Sequence, residues 1–120
     1  MERLRAAWIQ LADTFEQNRP LLVAFIEALA QAQRSEELRD ELAALYEDSR
    51  RAISHMISAA LGNGGPDPEH TRACASFLIA VSEGLMLQWL VSPEHAPSGE
   101  QVIAGLENAI PRAVAQQAPL

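Results

Sequence analysis

Between Cys74 and Val91 the chain is apolar almost all round, and no other feature constrains its fold as much. A helix with a wet side carries its apolar residues along one stripe, whereas one that is apolar on every side needs neighbours to cover it. The segment opens with Asp67 at the N-cap position, Pro68 at the first helical position and Glu69 after it, a strong helix start. From there to Val91 a helix of about 25 residues would span roughly 37 Å. That approaches membrane-span length, but Ser76, Ser82, Glu83 and Gln88 interrupt the apolar run and no Lys/Arg-rich flank borders it. A core helix in a soluble, cytoplasmic protein is the expectation, with no membrane contact.

Turn chemistry cuts the rest of the sequence into four further segments. Breaks fall at Asn18-Arg19-Pro20, at Gln33-Arg34-Ser35, at Gly62 to Pro68 and at Ser92 to Gly99. The first segment, about 2 to 17, spaces Leu4, Trp8, Leu11, Ala12 and Phe15 as one helical stripe. The second, about 20 to 33, starts on Pro20 and presents Leu22, Phe25, Ile26 and Leu29. Ser35 is placed to cap the third, with Glu36 and Glu37 favoured by the helix dipole and Gly62 as its stop. Its stripe runs Leu38, Leu42, Leu45, Tyr46, Ile53, Met56, Ile57 and Ala60, and Glu47 and Arg51 have ion-pair spacing on the wet side. The fifth segment begins with the capping-box spacing of Ser98 and Gln101, carries Val102, Ile103, Leu106, Ala109 and Ile110, and should kink or end at Pro111. The tail from Ala113 to Leu120 is expected to fray. Five helices in a single domain over residues 1–120 make an all-α antiparallel bundle, a reading supported by 21 alanines and few β-branched or aromatic residues.

Charge narrows the function. All nine basic residues are Arg, they are scattered singly apart from Arg50-Arg51, and the formal net charge is −7. Nucleic-acid sites need clustered cations, so this chain should not grip DNA or RNA by itself. Its single cysteine, Cys74, fits a reducing compartment and reads as a small core residue. His55, His70 and His95 sit in three segments without ligand spacing, so no metal is expected, and no phosphate loop or nucleophile elbow implies a cofactor.

Glu83 stands out because it lies mid-way along the most apolar helix. An ionised carboxylate there must be paired, solvated by a cavity or neutralised. It could contact a ligand, cross a subunit interface, or simply reach an Arg or a buried water. Gly84 beside it costs roughly 1 kcal/mol relative to Ala inside a helix, which suggests close approach of another helix or a ligand. Trp8, Phe15, Phe25, Tyr46, Met56, Phe77, Met86 and Trp89 fall on inward stripes and serve as ordinary core first, with Tyr46 and the two Trp carrying polar handles.

The run Phe77-Leu78-Ile79-Ala80-Val81-Ser82-Glu83-Gly84-Leu85-Met86-Leu87-Gln88-Trp89-Leu90-Val91-Ser92-Pro93-Glu94 resembles the penultimate helix of bacterial TetR-family transcriptional repressors. The order of elements is similar as well, from the Pro-started second helix to the last amphipathic one. Nothing in the chain resembles the basic helix-turn-helix domain at the N-terminus of that family. The resemblance therefore implies the C-terminal effector-binding and dimerisation domain, with DNA contacted only through an N-terminal domain outside this chain. It further implies that the last two helices pair with their copies in a dimeric four-helix bundle, through Leu78, Leu85, Met86, Trp89, Val102, Ile103, Leu106 and Ile110. A pocket between the first four helices would be lined by Trp8, Phe15, Phe25, Leu29, Tyr46, Ile53, Met56, Phe77 and Val81, with Glu83 as its polar contact. The effector would be small and apolar or amphipathic, and Glu83 leans it toward cations or hydrogen-bond donors.

Two other functions compete with this one. An all-α interaction or scaffold domain would have a solid core and no ligand. A bundle enzyme using Glu83 with His55 or Tyr46 as acid and base is disfavoured, because no second carboxylate or His lies near Glu83 on its helix. The expectation is a regulatory domain and not an enzyme.

Overall fold

The computed structural model describes residues 2–62 and 67–117, leaving aside the side chains at 3, 4, 8, 12 and 113–117. Five helices follow one another: α1 (Glu2–Asp13), α2 (Arg19–Ala32), α3 (Glu36–Leu61), α4 (Pro68–Val91) and α5 (Gly99–Gln117). The all-α fold expected from the sequence is the one found, and the described residues contain no strand.

α3, α4 and α5 begin where a side chain replaces a missing backbone partner, whereas α2 starts on Asn18 and Pro20 without a side-chain cap. Ser35 Oγ accepts from the Leu38 amide at 3.2 Å, and Asp67 Oδ1 accepts from the Glu69 amide at 3.1 Å. Ser98 and Gln101 close a reciprocal box, the Gln101 amide donating to Ser98 Oγ at 3.2 Å and the Ser98 amide to Gln101 Oε1 at 2.9 Å. Gly62 ends α3 with φ 70°, a left-handed conformation open to a residue without Cβ. The rest of that Gly-rich linker, 63–66, lies outside the described residues.

Several expectations need correction. Cys74, read as a small core residue, is exposed. The first helix stops at Asp13 rather than near 17, because Thr14 Oγ1 bonds back to the Leu11 carbonyl and Asn18 Nδ2 to that of Thr14, turning the chain toward α2. Pro111 does not end α5, which continues to Gln117. Proline removes one helical donor at this exposed position, and the helix runs on past it. Helix therefore covers residues 113–117 of the tail expected to fray, and 118–120 lie outside the described residues. Glu47 does not pair with Arg51, which turns to Asp48 at 3.2 Å. Glu47 binds Arg72 of α4 in a two-pronged contact, with Arg72 Nη2 to Glu47 Oε2 at 2.6 Å and a second link between Nη1 and Oε1, and it also accepts from Arg50 at 3.2 Å. These hydrogen bonds, chiefly from Arg72, hold the Glu47 carboxyl down at about 2, against an ordinary 4.5. The contact fastens α3 to α4, the most extensive helix pair in the molecule.

The core is small. Phe15, Leu85 and Met86 form its centre, backed by Leu22, Phe25, Ile26, Val81, Trp89, Leu90 and Val102. Ala32, Ile57, Thr71 and Ala75 are also buried. Accessible surface totals 8855 Å², whereas a folded monomer of this mass should expose about 6,400 Å². The radius of gyration is 16.5 Å, against about 13.6 Å for a compact domain of this length. Much apolar surface is therefore uncovered in the single chain, and α4 shows it best. Val91 is 86% exposed, Phe77 58% and Leu87 48%.

Candidate functional site

Among the described residues, two adjoining cavities stand out between the helices. The larger has a volume of about 710 Å³ and lies among α1, α3, α4 and α5. Ile53 and Met56 from α3, Phe77, Leu78 and Val81 from α4, and Ile103 and Leu106 from α5 give it an apolar wall, which Ala7 and Leu11 of α1 complete. Polar groups gather on the α1 and α5 side, where Glu2, Arg5 and Glu107 line the cavity and Arg5 Nε stands 3.7 Å from Glu107 Oε1. Leu11, Met56, Phe77 and Leu106 keep over a third of their surface in solvent, so this cavity has an open mouth.

The smaller cavity, about 230 Å³, lies among α1, α2, α3 and α4. Leu11, Ile53 and Ser82 line both cavities, so the two adjoin. Phe25, Leu45 and Ile79 supply apolar wall, and the polar centre is a hydrogen bond of 2.5 Å from the Tyr46 hydroxyl to Glu83 Oε1. Spacing explains why these groups meet. Tyr46 sits on the α3 stripe facing α4, and Glu83 lies on the flank of α4 that also presents Arg72 to Glu47. Burial, followed by the hydrogen bond and charge of Glu83, pushes the Tyr46 phenol up to about 12 from an ordinary 10.0. The phenol therefore stays protonated and donating throughout the physiological range. The Phe25 and Tyr46 rings lie 6.3 Å apart at 46°.

The cavities gather most of the residues proposed from sequence as a pocket. Ile53, Met56, Phe77 and Val81 line the larger, and Phe25, Tyr46, Ile53 and Glu83 the smaller. Two are elsewhere. Phe15 is buried in the core, its ring 6.3 Å from Trp89, and half-buried Leu29 lines neither cavity. The side chain of Trp8 is outside the described residues. The proposed interface set divides more sharply. Leu85 and Met86 are enclosed by the protomer, Trp89 is half-buried beneath the Arg19 guanidinium at 5.3 Å, and Val102 packs on the core. Leu78, Ile103 and Leu106 line the larger cavity, and Ile110 is exposed. Side chains already covered have little surface to offer a second subunit, and α4 leaves its other side uncovered.

That other side is a regular stripe. Ala73, Phe77, Ala80, Gly84, Leu87 and Val91 follow one another at spacings of four and three, and all but half-exposed Gly84 are exposed. A Cβ built at Gly84 would meet no atom within 4 Å, so the close approach expected there does not come from this chain. Sequence reasoning also missed Leu45, Ile79 and Ser82 in the smaller cavity and the Arg5–Glu107 pair in the larger. The stripes of α1, α3 and α5 marked Leu11, Leu45, Ile103 and Leu106 as inward, but nothing marked which inward residues face a void. Among the described residues no three His, Cys, Asp or Glu side chains converge as a metal-ligating group.

The family described as BetI-type transcriptional repressor, C-terminal, matches residues 1–115. The chain belongs to the TetR family. The match covers α1 to α4 and α5 as far as residue 115, so the run around Glu83-Gly84-Leu85 that suggested this family was a sound guide. No curated protein and no solved structure matches the chain. As a TetR-family C-terminal domain it is a regulatory part of a transcriptional repressor.

Proposed function

We propose that this domain binds a small apolar or amphipathic effector in the cavity among α1, α3, α4 and α5, and homodimerises through the open face of α4. Effector binding would change DNA reading by a helix-turn-helix domain N-terminal to it in the whole regulator. The observation that carries the reading is the larger cavity. Its volume of about 710 Å³ and its apolar wall suit a drug-sized ligand held mainly by burial. Glu107 and Ile103 of α5, Arg5 of α1 and Phe77 of α4 meet around it, so a ligand there touches the first and the last two helices at once.

Dimerisation rests on the excess surface. The chain exposes roughly 2,500 Å² more than a monomer of its mass needs, and one side of a standard interface removes about 800 Å². The α4 stripe is self-complementary in the way a two-fold contact requires, with Ala80 and Gly84 at its middle and Phe77 and Leu87 on either side. By length and composition α4 could also cross a bilayer. The Glu83–Tyr46 bond at its middle and membership of a repressor family favour a second subunit in the cytoplasm instead. The whole chain of 120 residues is read as one domain without catalytic activity.

Octanol, a neutral amphiphile, tests the cavity by titration calorimetry. One molecule should bind per protomer, and Met56→Trp, which fills the cavity from its exposed rim, should abolish binding without changing helix content. A folded chain that binds no octanol, or a Met56→Trp variant that binds it unchanged, would overturn the effector reading and favour a ligand-free interaction domain.

A further inference from the structure

The smaller cavity differs from the larger in the hydrogen-bonding capacity it has left. Every side-chain donor on its wall is already committed: the Tyr46 hydroxyl to Glu83, Ser49 Oγ to the Leu45 carbonyl at 2.9 Å, and Ser82 Oγ to the Leu78 carbonyl at 2.9 Å. Backbone amides on this wall belong to helices, so they are committed as well. What remains is acceptor capacity, because an ionised carboxylate has about four lone-pair sites and Tyr46 occupies one. No Arg or His forms an ion pair with Glu83 among the described residues. The rings of Phe25 and Tyr46 add faces that attract positive charge.

We infer that the adjoining cavities form one bipartite site for an amphipathic cation, with its apolar body in the larger cavity and its ammonium-type head against Glu83 in the smaller. This rests on the effector reading above and specifies its ligand class. An anionic or purely accepting head would meet Glu83 with no donor free to receive it. A cationic head supplies the donors that the wall lacks, and Leu11, Ile53 and Ser82 at the junction allow a single chain to reach both spaces. Arg5 is the one cation on the larger cavity's wall, it pairs with Glu107, and Glu2 lines the same cavity, so that end does not favour an anion either.

Three probes of equal tail length separate the head from the body: octylammonium, octanol and octanoate, titrated into the chain by calorimetry. Octylammonium should bind one per protomer at least ten-fold more tightly than octanol, with octanoate weakest. Glu83→Gln should erase that preference and leave octanol unchanged. Because the protein carries a net charge of −7, exposed Glu94→Gln serves as the control and should alter none of the three affinities. Should Glu83→Gln not fold, Tyr46→Phe keeps the carboxylate and should keep the preference for octylammonium. The inference is overturned if octanol binds as tightly as octylammonium, if the preference survives Glu83→Gln, or if Tyr46→Phe loses it. Binding of octanoate that Arg5→Gln removes would overturn it too. If none of the three probes binds, the effector reading itself fails.

Discussion

Tyr46 is the single tyrosine of the chain, so its ionisation can be followed without assignment. The protein's phenolate absorbance should rise with a midpoint near 12, whereas the chain in denaturant should titrate near 10. The sign of the linkage follows from the raised value in the folded state. Stability tied to this group is fully present below pH 10 and is lost as pH rises through 12. A shift of about two units sets an upper bound of roughly 2.7 kcal/mol, and solvent at this partly exposed ring reduces that to about 1–1.5 kcal/mol.

Glu83→Gln sharpens the test. The amide oxygen still accepts from the hydroxyl and burial is unchanged, so only the repulsion between phenolate and carboxylate disappears. The midpoint should fall by about one unit and stay above 10. Glu83→Ala removes the acceptor as well and should destabilise the fold by about 1–3 kcal/mol, because the phenol is left partly buried without a partner. Denaturant titration at neutral pH reads that loss. A folded wild-type protein that titrates at 10, or identical midpoints in wild type and Glu83→Gln, would refute the placement of Tyr46 against Glu83.

Three further outcomes follow. Leu87→Glu or Ala80→Glu should raise the dimer dissociation constant at least thirty-fold, about 2 kcal/mol, by placing a charge in an apolar contact. Sedimentation velocity at micromolar concentration would show monomer, and unchanged sedimentation would exclude the α4 face as the interface. Leu85→Ala should cost about 2–5 kcal/mol with the dimer retained, since this side chain belongs to the protomer core. The Glu47–Arg72 contact should contribute fully above pH 4.5 and be lost as pH falls through about 2, because the Glu47 value is depressed in the folded state. Carboxyl resonances followed by NMR would place that titration, and Glu47→Gln should flatten the acid limb of the stability profile.

The sequence located the helices well because their starts and stops depend on local chemistry. Ser35, Asp67, Ser98 and Gly62 each act on atoms within four residues, so the caps were readable without tertiary knowledge. The long-range facts were not readable in the same way. Glu47 had an acceptable helical partner in Arg51, and only the docking of α4 brought Arg72 within reach. Phe25, Tyr46, Ile53 and Val81 were recognised as inward, but an inward residue beside a void looks the same in sequence as one beside a neighbour.

The side of α4 that faces outward was hidden for a different reason, and it bears on function. Periodicity locates a buried face by contrast with a polar one, and α4 offers almost no contrast, since alanines, Leu87 and Val91 replace the charged residues of an ordinary surface helix. Leu78, Leu85, Met86 and Trp89 lie roughly half a turn from the centre of the Ala73–Val91 stripe at 100° per residue, so this helix has one apolar face covered by its own chain and one left open for the proposed partner. Phe77 stands at the edge of both. It lines the larger cavity, and it is among the most exposed members of the stripe. A ligand that moves this ring would alter a side chain on the proposed subunit contact directly. Coupling between effector and dimer geometry then needs no relay through the core, only two surfaces of one helix that share a residue.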